Sequence, residues 1–311
     1  MTYDDTTYER SAAGMENARY RAFAVSVEMG SFSRAAEKMN YTPAGVCQLV
    51  NALEKELGFP LLTRDKKGVR PTADGEKILV VIRDLLHQED RLSQLAAEIN
   101  GLATGRIVIG AYPSIATQWL PSVIKGFHEA YPHIEVLLTE GIRQDLEASL
   151  DDRSIDLIFY SHCEPMPYEW IPLAEDPVMA ILPPDHPFAG KDAYPVEQCQ
   201  YENFIMPAVG KDADVLAVFR ANGLSPKIAY STMEDFVTTA MIEQGMGMTI
   251  MNDLVTQRWQ FNVVKLPLDP PQSLTLGIAL PSLEQAAPAV RRFVKYAVTK
   301  LTASEQQKSA K

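Results

Sequence analysis

The sequence predicts a multidomain protein, with an N-terminal all-α winged helix-turn-helix, a long linker helix, and an α/β domain of two lobes. The chain has 311 residues, more than the roughly 250 to 300 that one hydrophobic core spans. Apolar residues first recur at helical spacing, and beyond residue 104 short apolar strands alternate with helices. We therefore predict domains at 15–72, 73–103 and 104–302, between a disordered leader (1–14) and a disordered tail (303–311).

Charge is distributed unevenly along the chain. The net charge is −11, which by itself argues against binding to phosphate. Residues 15–75, however, contain nine Lys/Arg and seven Asp/Glu, a net charge of +2. The N-terminus lacks the pattern of a secretory signal, and Met15 is an alternative start. Three widely spaced cysteines and no apolar run of about 20 residues favour a cytoplasmic location.

Three helices are predicted before residue 58. The first covers 16–29 and ends at Gly30, and the second covers 34–39 with Ser33 as its N-cap. Thr42 is the expected N-cap of the third helix, Pro43–Leu57, because Pro43 suits the first helical position. Gly58 should end that helix.

The third helix has two different faces. Its predicted buried stripe consists of Val46, Val50, Leu53 and Leu57. The opposite face carries Ala44, Cys47, Gln48 and Asn51. Gln and Asn side chains can bond adenine in the major groove, which favours a recognition helix. A small solvated helical hairpin is the alternative interpretation.

A basic hairpin follows the third helix. The segments LLTR, DKKG and VRPT read as two short strands around a turn that contains glycine. Cations on such a wing reach phosphates or the minor groove, although a solvated loop is the simpler explanation for a charge run. The predicted DNA-binding residues are Ser33, Arg34, Thr42, Pro43, Ala44, Cys47, Gln48, Asn51, Arg64, Lys66, Lys67 and Arg70.

A long linker helix should begin after Thr72 and cover 73–103. Ile78, Leu85, Leu92 and Ile99 repeat every seven residues, as in one seam of a coiled coil. We assign the second seam position to 82, 89 and 96, where Glu89 interrupts the apolar series. The predicted dimerisation residues are Ile78, Ile82, Leu85, Leu92, Ala96 and Ile99. Packing of this helix against the chain's own C-terminal domain is the alternative.

Beyond the hinge at Thr104 and Gly105 the pattern is that of an α/β domain with parallel strands. Lobe I comprises 106–175 and 270–302, lobe II comprises 176–269, and a cleft lies between them. The predicted strands are 106–111, 134–140, 155–160, 178–183, 203–208, 227–231, 248–252 and 274–280. The predicted helices are 114–130, 143–150, 212–221, 233–244 and 286–301.

The motifs resemble those of the LysR-type transcriptional regulators of bacteria. The resemblance rests on FAVSVEMGSFSRAAEKMNYTPAGVCQLVNALEKELGFPLLTRDKKGVRPTADGE, GRIVIG, LPSVIKGFHEAYPHIEV and IEQGMGMTIMN. It implies a winged helix-turn-helix, a linker helix that dimerises, and a periplasmic-binding-protein-like effector domain, commonly in a homotetramer. The chain departs from the family pattern at Gly45 and Cys47, which puts its target sequence in question.

These patterns together predict a sequence-specific transcriptional regulator whose DNA binding or bending responds to a small-molecule effector between the lobes. The predicted partners are double-stranded promoter DNA, an effector, further copies of the chain as a homodimer or homotetramer, and RNA polymerase as a further candidate. No membrane, cofactor or metal is expected. The chain shows no G-x-S-x-G, phosphate-loop or H-E-x-x-H motif, so we do not predict an enzyme.

The effector site is predicted from the rule that ligands bind at the carboxyl ends of strands. We expect recognition through hydroxyls, backbone N–H groups and the rings of Tyr112, Tyr160 and His162, with Arg143 and Lys211 as the nearest cations in sequence. The predicted effector-binding residues are Tyr112, Pro113, Ser114, Tyr160, Ser161, His162, Met206, Pro207, Ser231, Thr232, Gly247 and Met248.

Three other interpretations stay open from sequence. His162 and Cys163 could belong to a metal site, although further ligands are lacking. Cys163 and Cys199 could form a redox-sensing disulfide. The C-terminal lobes alone would suit a solute-binding protein, and the N-terminal DNA-reading segment argues against that class.

Overall fold

The computed structural model describes residues 5–66, 68–258 and 260–309, without side chains at 5–16 and 304–309. The described chain divides into two compact units. One extends to Ala96 and includes the short segment 151–154, and the other comprises the remaining residues. No helix in the described ranges is long and apolar enough to cross a membrane.

The N-terminal unit is a three-helix cluster with a hairpin and a long fourth helix. Its buried core includes Phe23, Ala36, Val50 and Leu61. Its elements are α1 (Asp5–Met29), α2 (Phe32–Met39), α3 (Pro43–Leu57), β1 (Leu62–Asp65), β2 (Gly68–Pro71) and α4 (Ala73–Ile99).

The predicted bounds of α3 are confirmed. The Gly45 N–H donates to Thr42 Oγ1 at 3.1 Å, and Gly58 ends the helix with a φ of 85°. Val46, Val50 and Leu53 are buried, but Leu57 is 38% exposed, so its place in the buried stripe was wrong. Leu57 occupies the last helical position, where the chain turns away from the core.

The predicted cap of α2 was also wrong. The helix begins at Phe32, so Ser33 lies inside it, and the extended residue Ser31 occupies the N-cap without a side-chain hydrogen bond. The Ala35 N–H instead donates to the Ser31 carbonyl at 3.0 Å. The helix therefore begins at Phe32, two residues before the start at Arg34 that was predicted from a Ser33 cap.

The hairpin of β1 and β2 is antiparallel, as predicted, and pairs Thr63 with Arg70. The Val69 N–H donates to the Gly30 carbonyl at 2.9 Å, which joins the hairpin to the turn after α1. Gly68 has a φ of 115°, and a Cβ there would meet the Gly30 oxygen at 2.4 Å. Thr72 caps α4 as predicted, because its Oγ1 accepts the Gly75 N–H at 2.9 Å.

The apolar seam of α4 differs from the predicted one. Ile82 is buried in the N-terminal core, so it cannot face a partner helix. Leu85, Leu92 and Ile99 are exposed, at 51%, 69% and 85%. Val81 is exposed too. Of the other predicted dimerisation residues, Ala96 is exposed and Ile78 is partly buried against the same core.

Both ends of the chain differ from expectation. Helix α1 begins at Asp5, so residues 5–14, predicted to be disordered, are helical. The last helix continues to Ser309, through most of the predicted disordered tail. Residues 303–309 are rich in Ala, Glu, Gln and Lys, which favour helix, whereas most of residues 5–14 are weaker helix formers. Residues 1–4 and 310–311 lie outside the described ranges.

The C-terminal unit alternates strands and helices. Its strands are β3 (Gly105–Ala111), β4 (Ile134–Glu140), β5 (Leu157–Ser161), β6 (Glu169–Leu182), β7 (Tyr194–Pro195), β8 (Phe204–Met206), β9 (Ile228–Ser231), β10 (Thr249–Asn252), β11 (Val264–Asp269) and β12 (Ser273–Leu280). Its helices are α5 (Pro113–Gln118), α6 (Leu120–Ala130), α7 (Arg143–Asp151), α8 (Ala213–Ala221), α9 (Asp235–Glu243), α10 (Asp253–Thr256) and α11 (Pro288–Ser309).

The sheet of the C-terminal unit is mixed rather than parallel. The strand order is β4-β3-β5-β12-β6-β11-β7, and β10 also pairs with β6. Strand β3 is parallel to β4 and β5, whereas β12 is antiparallel to β5 and β6. Strand β6 pairs with β12 up to Pro177 and with β10 and β11 from Val178, so it connects the two lobes.

The two lobes have separate cores. In lobe I, Ile109, Phe127 and Phe293 are buried together between the sheet and helices α6 and α11. In lobe II, Phe204 and Phe219 are buried together. The single helix predicted at 114–130 is two helices that meet at Trp119, because Pro121 has no N–H to continue α5.

Candidate functional site

The exposed face of α3 and the wing carries the predicted DNA-binding residues. Cys47 is half-buried and Lys67 lies outside the described residues. The other ten are exposed at the surface of the N-terminal unit: Ser33, Arg34, Thr42, Pro43, Ala44, Gln48, Asn51, Arg64, Lys66 and Arg70. The helix and the wing therefore present amides and cations on one unit, as a DNA groove requires.

Arg64 of the wing is bonded to side chains of α3. Its Nη2 donates to Asn51 Oδ1 at 2.6 Å, and its Nη1 donates to Cys47 Sγ at 3.4 Å. The guanidinium also lies 5.1 Å from the centre of the Phe32 ring. The structure thus places Arg64 against α3, whereas the sequence predicted that it reaches phosphates or the minor groove with the other wing cations.

Glu54 contacts both the wing backbone and Arg64. Its Oε1 accepts the N–H groups of Leu61 and Leu62 at 2.7 and 3.0 Å, which fixes the start of the wing. Its Oε2 lies 3.4 Å from Arg64 Nη2. One carboxylate therefore connects the end of α3, the wing backbone and the arginine that contacts Asn51.

A small cavity lies between the two lobes of the C-terminal unit, with a volume of about 90 Å³. Drug-sized ligands need roughly 300 to 1,000 Å³, so in this state it admits only a small group. Lobe I contributes Tyr112, Pro113, Ser114, Gly141, Ile142, Arg143 and Leu274, and lobe II contributes Val178, Ala208, Lys211, Asp212, Ala213, Asp214, Val215, Met233, Asp235, Met251, Asn252 and Val255.

Arg143 is held by the protein's own acceptors. Its Nη2 donates to the Ser161 carbonyl at 2.6 Å and to Ser161 Oγ at 2.7 Å. The same Nη2 lies 3.6 Å from Asp214 Oδ1, and Nη1 lies 3.2 Å from Glu147 Oε1. The guanidinium also covers the Tyr160 ring at 4.4 Å. These contacts engage both terminal nitrogens of the guanidinium, whereas the buried Nε has no hydrogen-bond partner within the described residues.

Three aspartates line the lobe II side of the cavity. Asp214 Oδ1 accepts the Ser161 hydroxyl at 2.6 Å, and Asp212 Oδ1 caps α8 by accepting the Asp214 and Val215 N–H groups. Burial and the nearby Asp214 carboxylate raise the pKa of Asp212 to about 6. Burial, with Asp212 and Glu234 nearby, raises the pKa of Asp235 to about 7. The pocket therefore disfavours the ionised forms of both carboxyls.

Only Tyr112, Pro113 and Ser114 of the predicted effector residues line the cavity. Tyr160 is fully buried beneath Arg143, and its hydroxyl donates to Met166 Sδ at 3.4 Å. The His162 ring packs edge-on against Trp170 at 5.3 Å. Neither ring lines the cavity. The other predicted residues that do not line it are Ser161, Met206, Pro207, Ser231, Thr232, Gly247 and Met248.

The strand-end rule failed in lobe II because β8 ends in the core. Met206 and Met248 are buried among apolar residues, and the segment after β8 reaches the cavity only from Ala208 onward. The first turns of α7, α8 and α9 supply Arg143, Asp214 and Asp235. These three cavity residues could have been found from the sequence, because each is a charged residue near the start of a predicted helix.

Family models cover most of the chain. The model of the "LysR substrate binding domain" matches residues 100–302, and that of the "Bacterial regulatory helix-turn-helix protein, lysR family" matches residues 18–76. The chain belongs to the LysR family. A LysR-type regulator combines a DNA-binding unit with an effector-binding unit, which accounts for both regions of this molecule.

Relatives of this LysR-type chain match it over nearly their whole length. The HTH-type transcriptional regulator YvbU of Bacillus subtilis is 30% identical over 281 residues, 89% of this chain and 96% of the relative. The structure of HinK, a LysR family regulator of Pseudomonas aeruginosa, is 26% identical with a TM-score of 0.56, covering 92% of this chain and 98% of HinK. A full-length OxyR variant from the same organism has a TM-score of 0.73 at 21% identity, covering 93% and 97%, and supports the fold alone.

Proposed function

We propose that this LysR-type regulator reads promoter DNA through the exposed face of α3 and the wing. Gln48 and Asn51 meet base edges in the major groove, while Arg34, Lys66 and Arg70 contact the phosphate backbone. The exposure of both amides on the face opposite the buried stripe of α3 carries this proposal. Phosphate contacts then supply affinity, and the amides supply sequence preference.

We further propose that two copies pair through the seam of α4, and that dimers associate into a homotetramer. The exposed residues Leu85, Leu92 and Ile99 recur every seven positions, and a coiled coil buries such a series. A dimer presents two recognition helices to half-sites about one turn of DNA apart. The proposed domain bounds are 15–72 for the DNA-binding domain, 73–103 for the linker helix and 104–302 for the effector domain.

The cavity between the lobes is the proposed effector site. A ligand that contacts both lobe I and lobe II stabilises one relative position of the lobes. This position changes how the subunits pack, and the packing in turn sets the spacing of the recognition helices. Such coupling is typically worth about 1 to 3 kcal/mol. The proposed action is regulatory rather than enzymatic. It takes place in the cytoplasm, where the promoter DNA is. RNA polymerase is a further proposed partner.

A gel shift with DNA from upstream of the protein's own gene tests the proposal. We expect binding that weakens steeply with salt, since phosphate contacts release counterions. The double variant Gln48→Ala with Asn51→Ala should lose preference for specific over random DNA by at least about tenfold, since each base contact is worth roughly 1 to 3 kcal/mol. The control Gln200→Ala removes an exposed amide of the C-terminal unit and should change nothing.

Equal binding of specific and random DNA by the unsubstituted protein would contradict sequence-specific recognition. Unchanged preference in the double variant would instead place the base contacts on another face of α3. Dimer formation, measured in the same samples, should be unaffected, because both amides lie outside the seam of α4.

A further inference from the structure

One carboxylate of lobe II is bonded to lobe I across the cavity. Asp214 lies in the first turn of α8, and its Oδ1 accepts the Ser161 hydroxyl at 2.6 Å. Arg143 Nη2 lies 3.6 Å from the same oxygen. Ser161 ends β5 and Arg143 begins α7, so both partners of the carboxylate belong to lobe I. The protein's own side chains therefore make a contact of the kind that a ligand makes between two lobes.

This contact is shielded from water. Ser161 is fully buried, and the side chains of Arg143 and Asp214 are only 11% and 15% exposed. Arg143 Nη2 also donates to Ser161 Oγ at 2.7 Å, so the guanidinium, the hydroxyl and the carboxylate form one chain of hydrogen bonds. Hydrogen bonds to ionised groups are stronger than neutral ones, and a low local dielectric strengthens them further. The chain of bonds should therefore resist separation of the lobes.

The partners in lobe I are of the type that binds a carboxylate. A guanidinium and a hydroxyl both donate hydrogen bonds, and arginine pairs with carboxylates more strongly than neutral donors do. Arg143 and Asp214 both line the cavity. The Asp214 carboxylate thus takes the place in lobe I that the carboxylate of a bound molecule would take.

We propose that Asp214 acts as an internal ligand, a latch that holds the lobes closed through Ser161 and Arg143 until an effector binds. The proposal rests on the proposed function of the cavity as the effector site. A cavity of about 90 Å³ excludes drug-sized ligands, so an effector of that size enters only after the latch has opened. The open fraction of the molecules then sets the apparent affinity for the effector.

A thiol on the cavity wall reports opening of the lobes. Val255 lines the cavity and is 6% exposed, and Val255→Cys introduces a side chain that is no larger. The closed cavity of about 90 Å³ is too small for N-ethylmaleimide, so this reagent labels the introduced thiol only when the lobes are open. Peptide mass spectrometry of the full-length protein separates this reaction from those of Cys47, Cys163 and Cys199.

Adding Asp214→Ala to Val255→Cys should accelerate labelling of the introduced thiol at least about tenfold, because hydrogen bonds to charged groups are lost. Labelling of Cys199, which is buried in the core of lobe II, should not change. Acetate in place of chloride, at equal ionic strength, should slow the labelling again, because it replaces the missing carboxylate. The matched control Asp192→Ala removes an exposed aspartate and should leave the labelling rate unchanged.

Equal labelling rates with and without Asp214→Ala would overturn the proposal. Equal acceleration at Cys199 would overturn it too, because Asp214 would then stabilise lobe II as a whole. If the Asp214→Ala protein does not fold, Asp214→Asn decides, since it keeps the size of the side chain and removes its charge: faster labelling supports the latch and an unchanged rate contradicts it. Labelling needs neither DNA nor effector, and a gel shift on the same samples measures the proposed DNA-binding function separately.

Discussion

At the scale of single residues, the DNA-reading face is organised by an arginine that reaches it from the wing. Arg64 donates to Asn51 Oδ1, and Asn51 Nδ2 donates to Cys47 Sγ at 3.7 Å, so both ends of the Asn51 amide have a partner within the protein. Bidentate recognition of adenine uses both the oxygen and the NH₂ of an asparagine. Asn51 keeps one N–H and one lone pair of its oxygen for a base, and Arg64 and Cys47 fix the orientation of both.

Replacing Arg64 by Ala should therefore alter sequence preference more than phosphate binding. We expect a binding-site selection to show relaxed preference at one base pair, with little change in the slope of log K against log salt. Arg70→Ala is the matched control, because Arg70 is exposed on the same hairpin and has no ion pair within the described residues. Arg70→Ala should reduce the slope of log K against log salt by about 1 and should leave the sequence preference unchanged. The reverse pattern would make Arg64 a phosphate contact.

Asp235 should make the stability of the effector unit depend on pH. Its pKa is about 7 in the folded protein and about 4 in the unfolded chain, so the folded state binds the proton more tightly. The resulting stabilisation is present below about pH 4 and is lost as the pH rises through about 7. Asp235→Asn should consequently gain stability relative to the unsubstituted protein between pH 5 and 8, measured by thermal unfolding. A constant difference across that range would contradict the raised pKa.

At the scale of elements, the wing depends on the close approach of two backbone segments. Gly68→Ala would place a Cβ 2.4 Å from the Gly30 oxygen, in addition to the strain of a positive φ. Gly58 also has a positive φ, but a Cβ there meets nothing within 4 Å. We expect Gly58→Ala to cost about 1 kcal/mol and Gly68→Ala more, because the hairpin must also shift.

Hydrogen exchange at Val69, whose N–H bonds to Gly30, measures the effect directly. Gly68→Ala should accelerate exchange there and weaken DNA binding, and Gly58→Ala should leave Val69 protected. Equal protection of Val69 in both variants would show that the hairpin accommodates the added methyl group without moving.

The elements that the sequence predicted well are those with local signals. Thr42, Pro43 and Gly58 define α3 because a cap hydroxyl, a ring without an N–H and a positive φ act within one turn. Strand β6 was predicted over only its last five residues, 178–182. The part before Val178 carries Glu175 and Asp176, and its pairing with β12 joins segments that are far apart in sequence. The sequence predicted cavity-lining residues correctly in lobe I but not in lobe II. No local pattern in the sequence shows which helix N-termini of the two lobes face each other.

Considered as a whole, the molecule has a net charge of −11, but DNA is also negatively charged. DNA therefore has to be bound by the small N-terminal segment 15–75, whose net charge is +2. Phosphate contacts are few on one copy, so affinity should depend on pairing two copies. The heptad spacing in the sequence predicted Leu85, Leu92 and Ile99, which are exposed on α4, but it also included Ile82, which is buried. The sequence could not decide this, because Ile82 is as apolar as Val81 and only the folded core shows which of them is buried.

Pairing of two copies through Leu85, Leu92 and Ile99 of α4 should be what makes DNA binding possible. Sedimentation equilibrium and a DNA titration on the double variant Leu85→Glu with Leu92→Glu test it most directly, with Ser93→Glu, an exposed position on the same helix, as the control. We predict that the double variant is monomeric and binds its operator at least about tenfold more weakly, while the control stays paired and binds normally. A double variant that remains paired, or a monomer that binds with unchanged affinity, would contradict the claim.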